Sequence, residues 1–210
     1  MDTIENIIRW LGGVAALVVI VVVLISVGRF RTQPAGKTVG SSPARLYSPV
    51  FLVVSSLIAL AVCVLLWKPI ITTLPNWARV AALIFGALFY FSGIGMILWG
   101  RQALGKYHNV STMQGVQLFA GHKLITHGPF AIVRHPMYLG FWLAVLGGLL
   151  LYQTWTMALF LLCSPIFFKR ARREEEVLLL EFGEEYEAYQ RRVPEFFPRL
   201  FKRRRIEEGK

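Results

Sequence analysis

The chain has 210 residues, 55% of them hydrophobic and 17% charged, with mean hydropathy +0.53. A soluble domain carries about a quarter charged residues, so a water-soluble enzyme is a poor reading of this composition. The formal charge of +11, from 23 Lys and Arg against 12 Asp and Glu, raises the question of nucleic acid, and the placement of the charges answers it.

No Asp, Glu, Lys or Arg occurs in residues 10–28, 46–67, 80–100 or 135–168. A membrane helix needs about 20 apolar residues to cross a hydrocarbon core roughly 30 Å thick. The first window, with its Val/Ile/Leu run over 14–27, predicts a lipid-facing span. It is longer than a signal-peptide core and lacks a basic segment and a small-residue cleavage site. The connector 29–49, with Pro34, Gly36, Gly40, Ser41, Ser42 and Pro43, reads as a loop. Spans two and three follow at about 50–67 and 80–99. Gly86, Gly93 and Gly95 in span three are small residues that let helices approach closely in lipid. The fourth window is too long for one helix, and Tyr152, Gln153 and Thr154 offer a polar break, which predicts a tight hairpin of two short spans. Residues 171–189, rich in Glu, Leu, Arg and Ala, predict a further helix, interrupted at Gly183. Val177, Leu178, Leu180 and Phe182 would supply its apolar contacts.

The expected class is therefore all-α: a polytopic membrane helical protein with about five transmembrane helices, spans four and five forming a hairpin, and a C-terminal cytoplasmic helix. Residues 1–99 would hold the three N-terminal spans and residues 100–210 the catalytic region. Loop 29–45 carries Arg29, Arg31, Lys37 and Arg45 without an acid, and loop 101–134 carries Arg101, Lys106, Lys123 and Arg134 without an acid. Basic loops stay on the cytoplasmic side, which places both loops and the tail inside and the N-terminus outside. The basic excess is then topology and contact with anionic lipid, not a nucleic-acid footprint.

Cys63 and Cys163 fall within spans and read as small apolar residues. His108, His122, His127 and His135 cluster in one loop and at the next membrane crossing. Their spacing places no two on one helical face at i, i+4, so no metal is expected. The informative stretch is 121–140. Gly128 and Pro129 make a turn, and Pro136 suits the first turn of span four, where its missing N–H costs nothing. Free N–H groups of that turn, beside Arg134 and His135, would form an anion-friendly pocket. Arg170 and Glu174 stand at i, i+4 on the helix leaving span five, at the membrane mouth.

These residues form ordered blocks: His122, Leu124, Ile125, Thr126, Gly128, Pro129 and Phe130; then Arg134, His135, Pro136, Met137, Tyr138 and Gly140. About thirty residues later come Arg170, Glu174, Glu175 and Leu178, then Phe182, Gly183, Tyr186 and Tyr189. The pattern resembles the isoprenylcysteine carboxyl methyltransferase family, part of a wider group with phospholipid methyltransferases, over roughly residues 100–198. The resemblance implies a methyl transfer from S-adenosyl-L-methionine, taken from the cytosol, to a lipophilic acceptor arriving through the bilayer. It assigns cofactor contacts to His122, Lys123, Leu124, Ile125, Phe130, His135, Pro136, Met137, Tyr138 and Glu174, and the acceptor side to Arg170. Phe130 stands where the family usually has Tyr, keeping an aromatic face for the adenine. An upstream Gln contact is unassigned, because Gln114 and Gln117 are both out of register.

Arg134 and backbone N–H groups could hold the cofactor carboxylate. An amine acceptor would need a base, for which His135 or Glu175 stand nearest, whereas a carboxylate needs none. Within the resemblance, the Arg170-x-x-x-Glu174-Glu175 block favours carboxyl methylation of a prenylated or lipid-like acceptor, with a phospholipid N-methyltransferase as the alternative. An NADPH-dependent sterol-type reductase and a non-enzymatic lipid-binding protein are the other readings. The location would be a bacterial plasma membrane or endoplasmic reticulum, active site toward the cytoplasm.

Overall fold

Apolar runs joined by short polar breaks fold as helices in the computed structural model, which describes residues 2–30, 35–39, 49–70, 73–105, 116–119 and 123–198. These helices are α1 (Asp2–Phe30), α2 (Pro49–Leu65), α3 (Asn76–Leu104), α4 (Pro136–Tyr152), α5 (Trp155–Cys163), α6 (Ile166–Phe182) and α7 (Glu184–Arg192). The two long connectors, expected as loops, also contribute a small antiparallel ribbon. In it β1 (Ala35–Val39) pairs with β2 (Val116–Phe119), Thr38 opposite Gln117 and Val39 opposite Val116. The fold is helical throughout its apolar part, and the ribbon, with its β-branched Thr38, Val39 and Val116, is an addition to the all-α expectation.

Among the described residues, two helices are by themselves long and apolar enough to cross a membrane: the Asp2–Val22 part of α1, and α3. α2 and α4 have 17 residues each, about 26 Å of rise, and α5 has 9, about 14 Å. Helix length thus supports two full crossings, not the five expected. The outward faces are apolar: Leu17, Ile20 and Val21 of α1, Leu57, Ile58 and Leu60 of α2, and Ile84, Phe85 and Leu88 of α3 are all exposed. Water does not tolerate a continuous apolar surface of this kind, and lipid does. This is an integral membrane protein. Cys163 is exposed on α5 and Cys63 is half-buried on α2.

Side-chain ties set the helix directions. The Arg79 guanidinium donates to Glu5 Oε2 at 2.6 Å and to Asp2 Oδ1 at 2.7 Å, so α1 and α3 start side by side and run parallel. Glu5, only 6% exposed, also meets Arg9 at 2.6 Å. We expect Glu5→Gln to lower the melting temperature in detergent, because Arg9 then loses its acid and Arg79 keeps only the exposed Asp2. Arg79→Gln in the same background should recover part of the loss; independent losses would show that the two residues are not coupled.

The α3–α4 seam is antiparallel and made by small residues. Gly86 lies against Leu150 and Leu151, Gly93 against Gly140 and Ala144, and Gly100 against Met137 and Pro136. A Cβ at Gly147 would fall on the backbone nitrogen of Tyr90, and one at Gly140 would come within 2.7 Å of the Gly93 carbonyl. The close approach expected of Gly86 and Gly93 is therefore real. Gly95 differs, since a Cβ there meets nothing within 4 Å.

The break between α4 and α5 falls where expected. Gln153 takes the left-handed conformation that ends α4, φ 53°, and Thr154 precedes α5. The end of α2 is stitched to this tip: Ile70 N–H donates to Gln153 O at 2.7 Å, Trp155 N–H to Lys68 O at 3.1 Å, and the Thr156 hydroxyl to Cys63 O at 2.7 Å. The C-terminal helix starts earlier than expected, at Ile166, and Gly183 (φ +50°) divides it into α6 and α7. Val177 is buried, and Leu178 and Phe182 pack on a core of Tyr186, Tyr189 and Val193. Leu180, expected to pack, is exposed.

Candidate functional site

Chain direction brings the two chemistry-bearing blocks to one end of the bundle, at the start of α4 and along α6. Gly128 (φ +62°) and Pro129 shape a 3-10 turn over Gly128–Ala131. The chain then extends through Arg134 and His135, with Pro136 opening α4 and His135 at its cap.

Glu174 is the meeting point. The Tyr138 hydroxyl donates to Glu174 Oε1, Arg170 Nε lies 3.6 Å from the same oxygen, and His135 Nδ1 lies 3.6 Å from Oε2. The Tyr138 ring stacks between His135, at 5.5 Å, and Phe167, at 5.0 Å. The Arg170 guanidinium sits 5.8 Å from the Tyr138 ring centre, and Phe141 meets Phe167 edge-on at 4.7 Å. A carboxylate beside aromatic faces favours a cationic centre through charge and ring quadrupole together. Apolar rings on the side where α5 emerges suit a greasy neighbour.

Glu175, one residue along, faces the other way. Its Oε1 accepts from Arg134 Nε at 2.8 Å and lies 3.0 Å from His135 Nε2; its Oε2 accepts from Arg134 Nη2 at 3.2 Å and Gln190 Nε2 at 3.0 Å. Burial alone would push the Glu175 carboxyl up. The His135 hydrogen bond and the Arg134 guanidinium outweigh it and hold the carboxyl below its ordinary value. Arg134 Nη1 donates in addition to Gln190 O at 3.2 Å and Val193 O at 3.1 Å. The chain beyond α7 completes this clasp, since Arg134 N–H donates to Pro194 O at 2.8 Å and His135 N–H to Glu195 O at 3.0 Å.

These contacts correct the expectation for Arg134. Its guanidinium and the N–H groups of Arg134 and His135 serve the C-terminal segment, so they are not an open pocket for a cofactor carboxylate. Phe130 is corrected likewise: it is 8% exposed, its ring buried in the protein, and its carbonyl accepts the Tyr189 hydroxyl at 2.7 Å. Burial pushes the Tyr186 and Tyr189 phenols well up, with the Glu175 charge adding to it at Tyr186. Leu124 packs on the Tyr186–Tyr189–Val193 core, Met137 lies against Gly100, Ile125 is half-buried and Lys123 is exposed. His122, His108 and Gln114 lie outside the described residues, and Gln117 stands in β2.

His135, Glu175 and Glu195 bring ligand atoms within 4.8 Å of one another. Arg134 already neutralises Glu175 from two sides, so these groups make an ion-pair network rather than a cation cage. Gln190 and the 193–196 segment are the members of the site that sequence reasoning missed, while Glu175, singled out there as a candidate base, is found in the clasp. Glu175 was legible as part of the Arg-x-x-x-Glu-Glu block; nothing in the sequence signals the backbone carbonyls of Val193, Pro194 and Glu195.

The model of the isoprenylcysteine carboxyl methyltransferase (ICMT) family matches residues 85–180. A protein-S-isoprenylcysteine O-methyltransferase of Schizosaccharomyces pombe is 34% identical over 122 residues, covering 52% of this chain and 52% of that protein. Methanethiol S-methyltransferase 2 of Bradyrhizobium diazoefficiens is 34% identical over 161 residues, covering 69% of this chain and 57% of that protein. A solved eukaryotic intramembrane Ras methyltransferase, ICMT, aligns at 25% identity with TM-score 0.47, covering 69% of this chain and 52% of that one. The chain spans about half the length of the curated relatives it matches. The resemblance read from the motif blocks is thereby found over residues 85–180, from the middle of α3 through nearly all of α6.

Proposed function

We propose that the protein is a methyltransferase that moves a methyl group from S-adenosyl-L-methionine to a lipophilic acceptor at the cytoplasmic membrane face. The observation that carries it is the joining of the two motif blocks at Glu174, where Tyr138 from α4 and Arg170 from α6 converge. The family match favours this reading over a sterol-type reductase or a lipid scaffold.

The residues present fit the cofactor's charges. Glu174 offers a carboxylate, and Tyr138 and His135 offer stacked rings at its side. The cofactor supplies an electrophilic methyl on a sulfonium. Glu174 favours that positive centre, Tyr138 fixes the carboxylate, and Arg170 orients an anionic acceptor. Holding the partners in line supplies most of the acceleration in such a displacement. Phe141, Phe167 and Phe168 exclude water from the side that opens to the bilayer. Lys123, Leu124, Ile125, Pro136 and Met137 remain cofactor contacts in this proposal through the backbone they shape; His122 is proposed on the family pattern alone.

The acceptor class follows from what the site lacks. Both Glu175 oxygens are already taken up by Arg134, Gln190 and His135 Nε2, so these groups are committed to the clasp. An acceptor that is already an anion needs no base. This favours a carboxylate, as in the substrate named for the Schizosaccharomyces pombe relative, over a phospholipid amine. We also propose that the five apolar segments alternate in direction, with α4 and α5 as the two short arms of a hairpin. The α1–α3 pairing, the antiparallel α3–α4 seam and the tie of α2 to the α4–α5 tip support this alternation.

Glu174→Ala should abolish S-adenosyl-L-methionine binding in a titration of the detergent-solubilised protein, a loss of at least about 100-fold, as expected for removing a charged partner. Unchanged binding would refute the assignment. Incubation with methyl-labelled cofactor and membrane extract should give a base-labile labelled ester; a base-stable label would show N-methylation instead.

A further inference from the structure

The chain leaving α7 lies along the start of α4. Arg134 N–H donates to Pro194 O and His135 N–H to Glu195 O, and this pairing delivers the next side chain, Phe196, into the protein. Phe196 is 5% exposed, whereas its neighbour Phe197 is 67% exposed. The Phe196 ring lies 5.3 Å from the His135 imidazole, 4.9 Å from Trp142 and 5.1 Å from Phe168. Trp142 and Phe168 also meet each other, at 4.7 Å. One ring each from α4, α6 and the C-terminal segment thus closes a triangle, and Phe196 is its corner at His135. Phe196 stands outside the motif blocks and beyond the residues that the family model matches. His135 is held from several sides at once: its N–H by Glu195 O, its Nε2 by Glu175 at 3.0 Å, its ring by Tyr138 at 5.5 Å and by Phe196. The other ring nitrogen, Nδ1, faces Glu174 Oε2 at 3.6 Å. Without Phe196 the imidazole loses packing that keeps it from tilting, and Glu174 loses a fixed neighbour at that oxygen. A group aimed at a charge works best when its supports are locked by packing.

We propose that Phe196 is a positioning residue: it locks the His135 ring and so keeps the Glu174 carboxylate aimed at the sulfonium of S-adenosyl-L-methionine. This rests on the methyl-transfer reading and adds to it a residue that acts on the cofactor's charge through another side chain. Its effect is therefore on the charged cofactor in particular, not on the adenosyl part that cofactor and product share.

Two ligands separate the charge from the rest of the cofactor. S-adenosyl-L-methionine carries the sulfonium; S-adenosyl-L-homocysteine, which remains once the methyl has left, has a neutral thioether in its place. Both are titrated into the full chain in detergent. Phe196→Leu keeps an apolar side chain and should weaken S-adenosyl-L-methionine about five- to tenfold, the scale of a lost aromatic pair, and S-adenosyl-L-homocysteine less than about twofold. Phe196→Tyr keeps the ring and should recover most of that selectivity. Phe197→Leu, at a ring that meets Trp142 at 6.4 Å from the exposed side, should leave both affinities unchanged. A partly unfolded population lowers both affinities by the same factor, so their ratio reads positioning even where a variant is less stable. Equal weakening of the two ligands, or no weakening of either, would overturn the proposal. An unaltered chain that binds neither ligand would refute the methyl-transfer reading itself, and the proposal with it.

Discussion

Glu175→Ala should lower the unfolding free energy in detergent by about 3–5 kcal/mol, the range for removing one partner of a buried, hydrogen-bonded ion pair. Arg134 is 12% exposed in its side chain and Glu175 15%, so water cannot take over the lost contacts. The alanine leaves the guanidinium with only backbone carbonyls for partners, unties Gln190 of α7 and removes the partner of His135 Nε2. Glu175→Gln should cost less, because the amide oxygen still accepts from one of them. A loss below about 1 kcal/mol for the alanine would mean the clasp is a surface pair in effect. The pH dependence carries a sign. A carboxyl held lower in the folded state than in the unfolded one stabilises the fold above its ordinary value of 4.5, and that contribution disappears as pH falls through the folded value. The unaltered protein should therefore lose stability on acidification below the ordinary carboxyl range, and Glu175→Ala should flatten that limb of the profile.

Gly93→Ala should be among the most damaging single methyls in the membrane part, costing about 3 kcal/mol, at the upper end for overpacking. The added carbon would fall on the Ala144 backbone nitrogen and the Gly140 carbonyl. Backbone cannot rotate aside as a side-chain tip can, so α3 and α4 must separate along the seam. Gly95→Ala is the control, two residues away on the same helix. It meets nothing and should be neutral or stabilising by up to about 1 kcal/mol, through helix propensity alone. Thermal unfolding of both variants in one detergent checks the pair; equal effects would show that the seam does not set the stability of α3 and α4. Because α4 starts at His135 and Pro136, Gly93→Ala should also weaken cofactor affinity. The same titration as for Glu174 reads this.

Much of the layout was legible in the residue order because solvent dictates it. Charge-free windows must be helices where lipid surrounds them, and the break at Tyr152, Gln153 and Thr154 falls where the polar residues fall. Gly183 ends one helix and begins the next because an L residue resists its positive φ. The motif blocks singled out Tyr138, Arg170 and Glu174, and the packing of α4 on α6 brings these three side chains together. By contrast, periodicity could not distinguish Gly93 from Gly95, since both are glycine on one helix and only the position of α4 separates them.

The same limit applies at the site. Sequence by itself determined which residues carry charge, which segments are apolar and which blocks recur in a known family, because these are properties of single residues and their spacing. Only the tertiary structure decided the allegiance of each charge. Arg134 looked like an anion holder beside free N–H groups until the 193–195 carbonyls, some sixty residues along, were found occupying them. Phe130 looked like an adenine platform until its burial under α7 was seen. Glu174 and Glu175 are adjacent and chemically identical, yet the helix points one toward Tyr138 and Arg170 and the other into the clasp. Adjacent helical positions are about 100° apart, and only the packing of α6 against α4 and α7 decides which of the two faces the site.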